Sequence, residues 1–167
     1  MNGVIIGAAQ SEGGKFALQN QTDLNSEGGS PRRFDVALLI VHPSLDPADI
    51  TAALGLQASH QLRVGDPRRT PKGTSLPGNY PDTRWRQRVR YEVRNQWFAN
   101  QVTNLVDRLM PHKVFLHDLR STGGQVQVIV QFLGDGYFGD TIPIETLAKM
   151  AELQLDLGIE CFSVPQS

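Results

Sequence analysis

The sequence holds a single cysteine, Cys161, in 167 residues. That excludes an intrachain disulfide framework, a four-cysteine zinc site and a paired-cysteine redox motif, and it fits a reducing compartment. No apolar run approaches the roughly 18 residues a membrane-spanning helix needs. The opening Met1 to Gln10 has a short apolar core with no positive charge before it, so no secretory leader is expected. The reading is a soluble cytoplasmic protein. Aromatic residues are sparse at 7%, and 16 Lys and Arg against 17 Asp and Glu leave a net charge of −1. The whole chain is therefore neither a polycation built for nucleic acid nor an acidic solvating polymer.

Catalytic signatures are missing as well. The histidines His42, His60, His112 and His117 are scattered, and the last two, five apart, diverge by about 140° on a helix, so no metal site and no cofactor are expected. Gly65 to Thr74 lacks the ordered glycine, lysine and hydroxyl spacing of a phosphate loop, and its prolines remove amide donors. Asp135 and Asp140 lie in a glycine-rich turn without calcium-loop spacing. There is no nucleophile elbow and no reactive-cysteine signature, so no catalytic residue is assigned.

What is present is 40% hydrophobic residues in clear patterns. Residues 1–33, with Gly13-Gly14, Gly28-Gly29-Ser30-Pro31 and a polar run from Gln19 to Ser26, read as a flexible appendage. Residues 34–167 read as one domain. Phe34 to His42, apolar except for Asp35, is a buried strand. Asp46, Pro47 and Gly55 supply the cap, first position and terminator of a short helix with Ile50, Ala53 and Leu54 inward. Residues 65–83 carry four prolines and three glycines and predict a long loop without regular structure.

Residues 84–94 alternate strictly, with Trp85, Val89, Tyr91 and Val93 on one face and Arg84, Arg86, Arg88, Arg90, Glu92 and Arg94 on the other. Helical spacing follows over 96–110, with Asn95 as a cap, and Val114 to Leu119 reads as a second short helix or, nearly as well, an extended segment. Residues 125–133 alternate again, 144–153 have helical spacing, and 155–162 form a last strand in which Cys161 points inward and is inert. The expected fold is α+β: a two-layer sandwich of a mainly antiparallel four-stranded sheet with helices on one face, in the order β-α-β-α-β-α-β.

The blocks LDPADITAALGL at 45–56, VGDPRRTPKG at 64–73, the Trp85-led strand, the helical stretch 96–120 and ETLAKMAELQLDLGIECF at 145–162 together resemble the bacterial domain-of-unknown-function family numbered 4279, over about residues 34–164. The resemblance implies a small intracellular bacterial domain without an assigned activity, and it transfers no catalytic residue.

The strongest remaining signal is charge. Residues 60–95 hold nine basic side chains against Asp66, Asp82 and Glu92, a local net of +6, while 135–167 hold six acids against Lys149, a net of −5. Alternate strand positions space the guanidinium groups about 7 Å apart, and such a row repels itself unless an anion lies nearby. Either Asp35, Asp156 and Glu160 pair with it across the sheet, or the row binds an acidic partner. The preferred reading is a non-enzymatic binding protein, for example of immunity or inhibitor type. It would engage an acidic macromolecule through Arg68, Arg69, Lys72 and Tyr80 of the proline-stiffened loop and Arg84, Arg86, Arg88 and Arg90 of the strand.

Three alternatives stay open. One is an enzyme or receptor for a small anionic ligand, held by Arg84, Arg86 and Arg88 with His42, His60 or Asp66 as base. Another is a homodimer joining the basic stretch of one copy to the acidic stretch of a second. Nucleic-acid binding is disfavoured because Trp85 and Tyr91 alternate away from the arginines.

Overall fold

The computed structural model describes residues 33–92, 97–134 and 139–162. The expectations for residues 1–32, and for the cap at Asn95, Val93, Arg94 and Asp135, lie outside them. The chain runs through β1 (Arg33–His42), α1 (Pro47–Leu54), β2 (His60–Leu62), β3 (Pro67–Arg69), β4 (Ser75–Asn79), β5 (Thr83–Glu92) and α2 (Phe98–Leu109). After a 3-10 turn (Met110–His112) come α3 (Lys113–Ser121), β6 (Gln125–Leu133), α4 (Ile144–Glu152) and β7 (Asp156–Phe162).

The main sheet has five strands in the order β2-β5-β1-β6-β7, and β3 with β4 forms a separate two-stranded ribbon. This corrects the expected four-stranded, mainly antiparallel sheet and the strand and helix order. β1 is antiparallel to both β5 and β6, but β7 runs parallel to β6. An alternating strand looks the same in either direction, and the connection from Leu133 to Asp156 carries α4, the kind of crossover that parallel neighbours require. β2, β3 and β4 have three, three and five residues, too few for a periodicity to register. The ribbon tolerates Pro67 and Pro77 because each of its strands pairs on one side only.

One face of the sheet makes the core. Phe34, Val36, Leu38 and Ile40 of β1 stand beside Trp85 of β5 and Val126, Val128, Val130 and Phe132 of β6, in register. Against them pack Ile50 and Leu54 of α1, Val102, Leu105, Val106 and Leu109 of α2, Leu116 and Leu119 of α3 and Met150 of α4. Asp46 caps α1 by accepting a hydrogen bond from the Ala48 amide at 2.9 Å, and Gly55 closes it at φ 63°. The stretch around Val114 to Leu119 is helical, with Leu116 and Leu119 buried. The N-terminus of α2 borrows a cap from a distant loop: Asp140 Oδ2 accepts the Ala99 amide at 3.0 Å.

The helix layer does not extend over the whole of β7. Leu157, Ile159 and Cys161 share the core-side parity of Val128, Val130 and Phe132, yet Ile159 is 63% exposed and Cys161 is also exposed. The inward, inert cysteine is therefore corrected: the alternation was right, but the edge strand outruns its cover. No helix of the described residues is long and apolar enough to cross a membrane.

Candidate binding face

The second face of the sheet contributes no member to the core cluster, and it carries the arginines. Read across the strands, Arg90 lies beside Asp35, Gln131 and Glu160. Arg88 lies beside Ala37, Ile129 and Gly158, and Arg86 beside Leu39, Gln127 and Asp156. On its outer side Arg86 faces His60 and Arg84 faces Leu62. Four guanidinium groups thus share one side of β5, with Asp35 of β1 opposite Arg90, glutamines on β6, and Asp156 and Glu160 of β7 at the far edge.

The internal pairing is partial. Asp35 is fully buried, and its two carboxylate oxygens accept from Arg90 Nε at 2.8 Å and Nη2 at 3.1 Å, with Arg88 Nη1 at 3.5 Å. This side-on fork holds the Arg90 guanidinium above its ordinary value, through the hydrogen bond first and the charge second. Arg84 pairs with Asp82 two residues earlier at 2.9 Å, which raises it in the same way. Neither Asp156 nor Glu160 reaches the row, since β1 and β6 stand between. Asp156 takes Arg120 Nη2 at 2.7 Å, and Glu160 accepts from Gln131. Arg86 has its Nε and Nη2 buried with no hydrogen-bond partner among the described residues.

The stretch expected as a loop is an ordered arm. Its ladder continues from the β2–β5 pair: Gly65 donates to the Tyr80 carbonyl, Tyr80 to that of Asp66, and Thr70 to that of Thr74. Arg68 and Arg69 on β3 and Lys72 in the turn are exposed. Tyr80 is half-buried and spans the ribbon, its hydroxyl accepting the Arg69 amide at 3.2 Å and donating to the Arg69 carbonyl at 3.3 Å. The arm leaves the sheet at the Arg84 end of the row and carries Arg68, Arg69 and Lys72. Its proline content does not prevent pairing, because only one edge of each strand needs donors.

The candidate bases fall elsewhere. His42 is buried at the end of β1 and uses both ring nitrogens. Its Nδ1 accepts the amides of Ser44 at 3.1 Å and Leu45 at 2.9 Å, which leaves the proton on Nε2 to be donated to Thr122 Oγ1 at 2.9 Å. Burial lowers its pKa. It pins the β1–α1 turn to the end of α3 and has no lone pair left for chemistry. His60 and Asp66 are exposed.

A shallow groove lined by Ala48, Thr51, Gln57 and His60 contains no arginine, and a small cavity lined by Val36, Gln87, Tyr91 and Arg108 lies on the core side of β5. No His, Cys, Asp and Glu cluster suited to a metal occurs among the described residues. Sequence reasoning missed the part played by Arg120, which removes Asp156 from the sheet's charge balance. Its position in the last turn of a helix gives no hint of a partner 36 residues on.

The family model described as Domain of unknown function (DUF4279) matches residues 32–161. No curated protein and no solved structure gives a significant match.

Proposed function

The chain belongs to the DUF4279 family, and from that premise we propose that it is a non-enzymatic cytoplasmic binding protein that engages an acidic protein through the arginine face of its sheet and the ribbon beyond it. The observation that carries this reading is the incomplete pairing of the row. Arg84, Arg86, Arg88 and Arg90 have only Asp35 and Asp82 as anionic partners among the described residues. Surplus charge of one sign on a face favours encounter with the opposite sign and sets orientation more than raw affinity. That neither the groove nor the small cavity is lined by Arg84, Arg86, Arg88 or Arg90 supports a macromolecular partner over a small anionic substrate. Trp85 is fully buried and Tyr91 stacks on Phe34 at 5.2 Å, so neither offers the platform that single-stranded nucleic acid wants.

The test is an affinity capture at low and high salt, comparing the wild type with Arg84→Glu/Arg86→Glu, the fold of both being checked by circular dichroism. These two positions spare the Asp35 fork. An acidic protein retained by the wild type, released by salt and lost from the folded variant is the expected result. Recovery of nucleic acid by the same face overturns it.

Self-association is favoured by one separate observation. β7 is an edge strand on which Ile159 is 63% and Phe162 49% exposed, and such an edge invites pairing with another strand. Light scattering of the wild type and Ile159→Lys decides this: a dimer dissociated by the lysine supports it, and a monomer in both removes it.

A further inference from the structure

Arg90 and Arg86 sit on the same face of β5, four residues apart, and their guanidinium groups differ in one respect. The Nε and Nη2 edge of Arg90 is filled by the two oxygens of Asp35, while the same edge of Arg86 is buried and empty of hydrogen-bond partners among the described residues. The register explains the difference. β1 presents Asp35 opposite Arg90 but Leu39 opposite Arg86, and β2 presents His60 on the other side. Buried donors left without acceptors cost the desolvation of each group, and a guanidinium edge is a fixed, planar pair of donors that matches two oxygens of one carboxylate.

We infer that the Nε and Nη2 edge of Arg86 is the seat for one carboxylate side chain of the acidic protein partner, a refinement that rests on the binding-face reading above. The Asp35–Arg90 fork shows the geometry within the same row. Arg84 and Arg88, two residues to either side, flank the seat and are only partly neutralised by Asp82 and by the shared Asp35. For the carboxylate to enter, the flank that would have to open is β2, three residues long, paired on one side only, exposed at His60 and held to β5 also by the Ser59 amide and hydroxyl on the Arg86 carbonyl. A seat shielded from water is the setting in which one arginine dominates an interface.

The experiment follows the Arg86 Nε–H resonance of the full chain during separate titrations with an octaglutamate peptide, inorganic phosphate and a single-stranded oligonucleotide. It adds the variants Arg86→Lys, which keeps the charge and loses the fork, and Arg86→Met, which keeps the length and loses both. The expected result is a shift of the Arg86 signal by the peptide, binding weakened about tenfold in Arg86→Lys, and a melting temperature in Arg86→Met equal to or above that of the wild type. Peptide binding that Arg86→Lys leaves unchanged overturns the seat while the face reading stands. A shift by phosphate or oligonucleotide and not by peptide overturns the carboxylate assignment. A melting temperature sharply lowered in Arg86→Met makes Arg86 a structural pin. The absence of any shift with all three probes sinks the seat, whereas the face reading answers separately to the capture experiment.

Discussion

Asp35 on β1 stands in register with Arg90 on β5, and its fully buried carboxylate is gripped by both ends of that arginine's fork while Arg88 approaches from the side. The two partners are unequal, because Asp35 has no exposure and the Arg90 side chain is half exposed. Removing the arginine strands a buried charge, whereas removing the acid returns an arginine to water.

The expected outcome is an asymmetry between the two single variants. Arg90→Ala should lower the urea midpoint more than Asp35→Asn does, because only the longer Arg88 contact remains for the buried acid. Urea denaturation of both variants and of the double variant measures the difference. Equal losses contradict the assignment of the burden to Asp35.

His42 sets a pH dependence. Burial lowers its pKa from the ordinary 6.5, so the unfolded chain binds the proton more readily than the folded one. Its contribution is whole above 6.5, declines as the pH falls through that value, and goes on declining until the lower folded value is passed. Urea midpoints recorded from about pH 8 to pH 5 should show this fall, and His42→Asn should flatten it. A wild-type midpoint that rises on acidification refutes the assignment.

Gly124 is required by contact and not by backbone angle. A Cβ there would lie 2.6 Å from the Leu119 carbonyl oxygen and 2.8 Å from the His42 ring. Gly124→Ala should therefore destabilise by about 1–3 kcal/mol and disturb the His42–Thr122 bond. A calorimetric scan at neutral pH reads the first effect, and a changed His42 proton resonance reads the second.

Trp85 is fully buried and donates its indole N–H to Thr51 Oγ1 at 2.9 Å, while Trp97 is 45% exposed. Thr51→Val should cost about 1–2 kcal/mol by leaving that donor unpaired. Iodide should quench only the Trp97 share of the fluorescence, and Trp85→Phe should leave an emission quenched almost completely. Uniform quenching in the wild type would place Trp85 at the surface.

Cys161 is exposed on β7. It should react with a disulfide reagent in the native protein at a rate near that of a free thiol, and the unfolded chain should show no further thiol. A reaction that waits for denaturant returns the residue to the interior.

The longer elements were legible from the chain alone. β1, α1, β5, α2, β6, α4 and β7 all stand where period, cap and breaker residues put them, because each has enough residues for its pattern to outweigh chance. The face of the arginine row was legible for the same reason: alternation in β5 is strict. What escaped was anything decided by strand order. Asp156 and Glu160 are acids on the correct face, but they stand three strands from β5, and no residue in the sequence states that separation. Asp35 stood out as the one charge inside an apolar strand and as a possible partner of the row, but which arginine it grips follows only from the register of β1 with β5. The exposure of Cys161 and Ile159 likewise depends on where the helix layer stops, a property of helix length against sheet width.

The placement of β1 at the centre of the sheet has a temporal side. It is synthesised before both of its neighbours, and its pairs span sequence distances from Arg33 to Glu92 and from Arg33 to Leu133. Until β6 has left the ribosome, FDVALLIVH can be covered on at most one edge, and a run so apolar is a template for any other strand it meets. Long-range closure of this kind slows folding. The nascent chain is therefore most at risk of aggregating in the interval between the emergence of β1 and that of β6, and a holdase that occupies β1 during that interval should raise the yield of folded protein more than any substitution in the finished core.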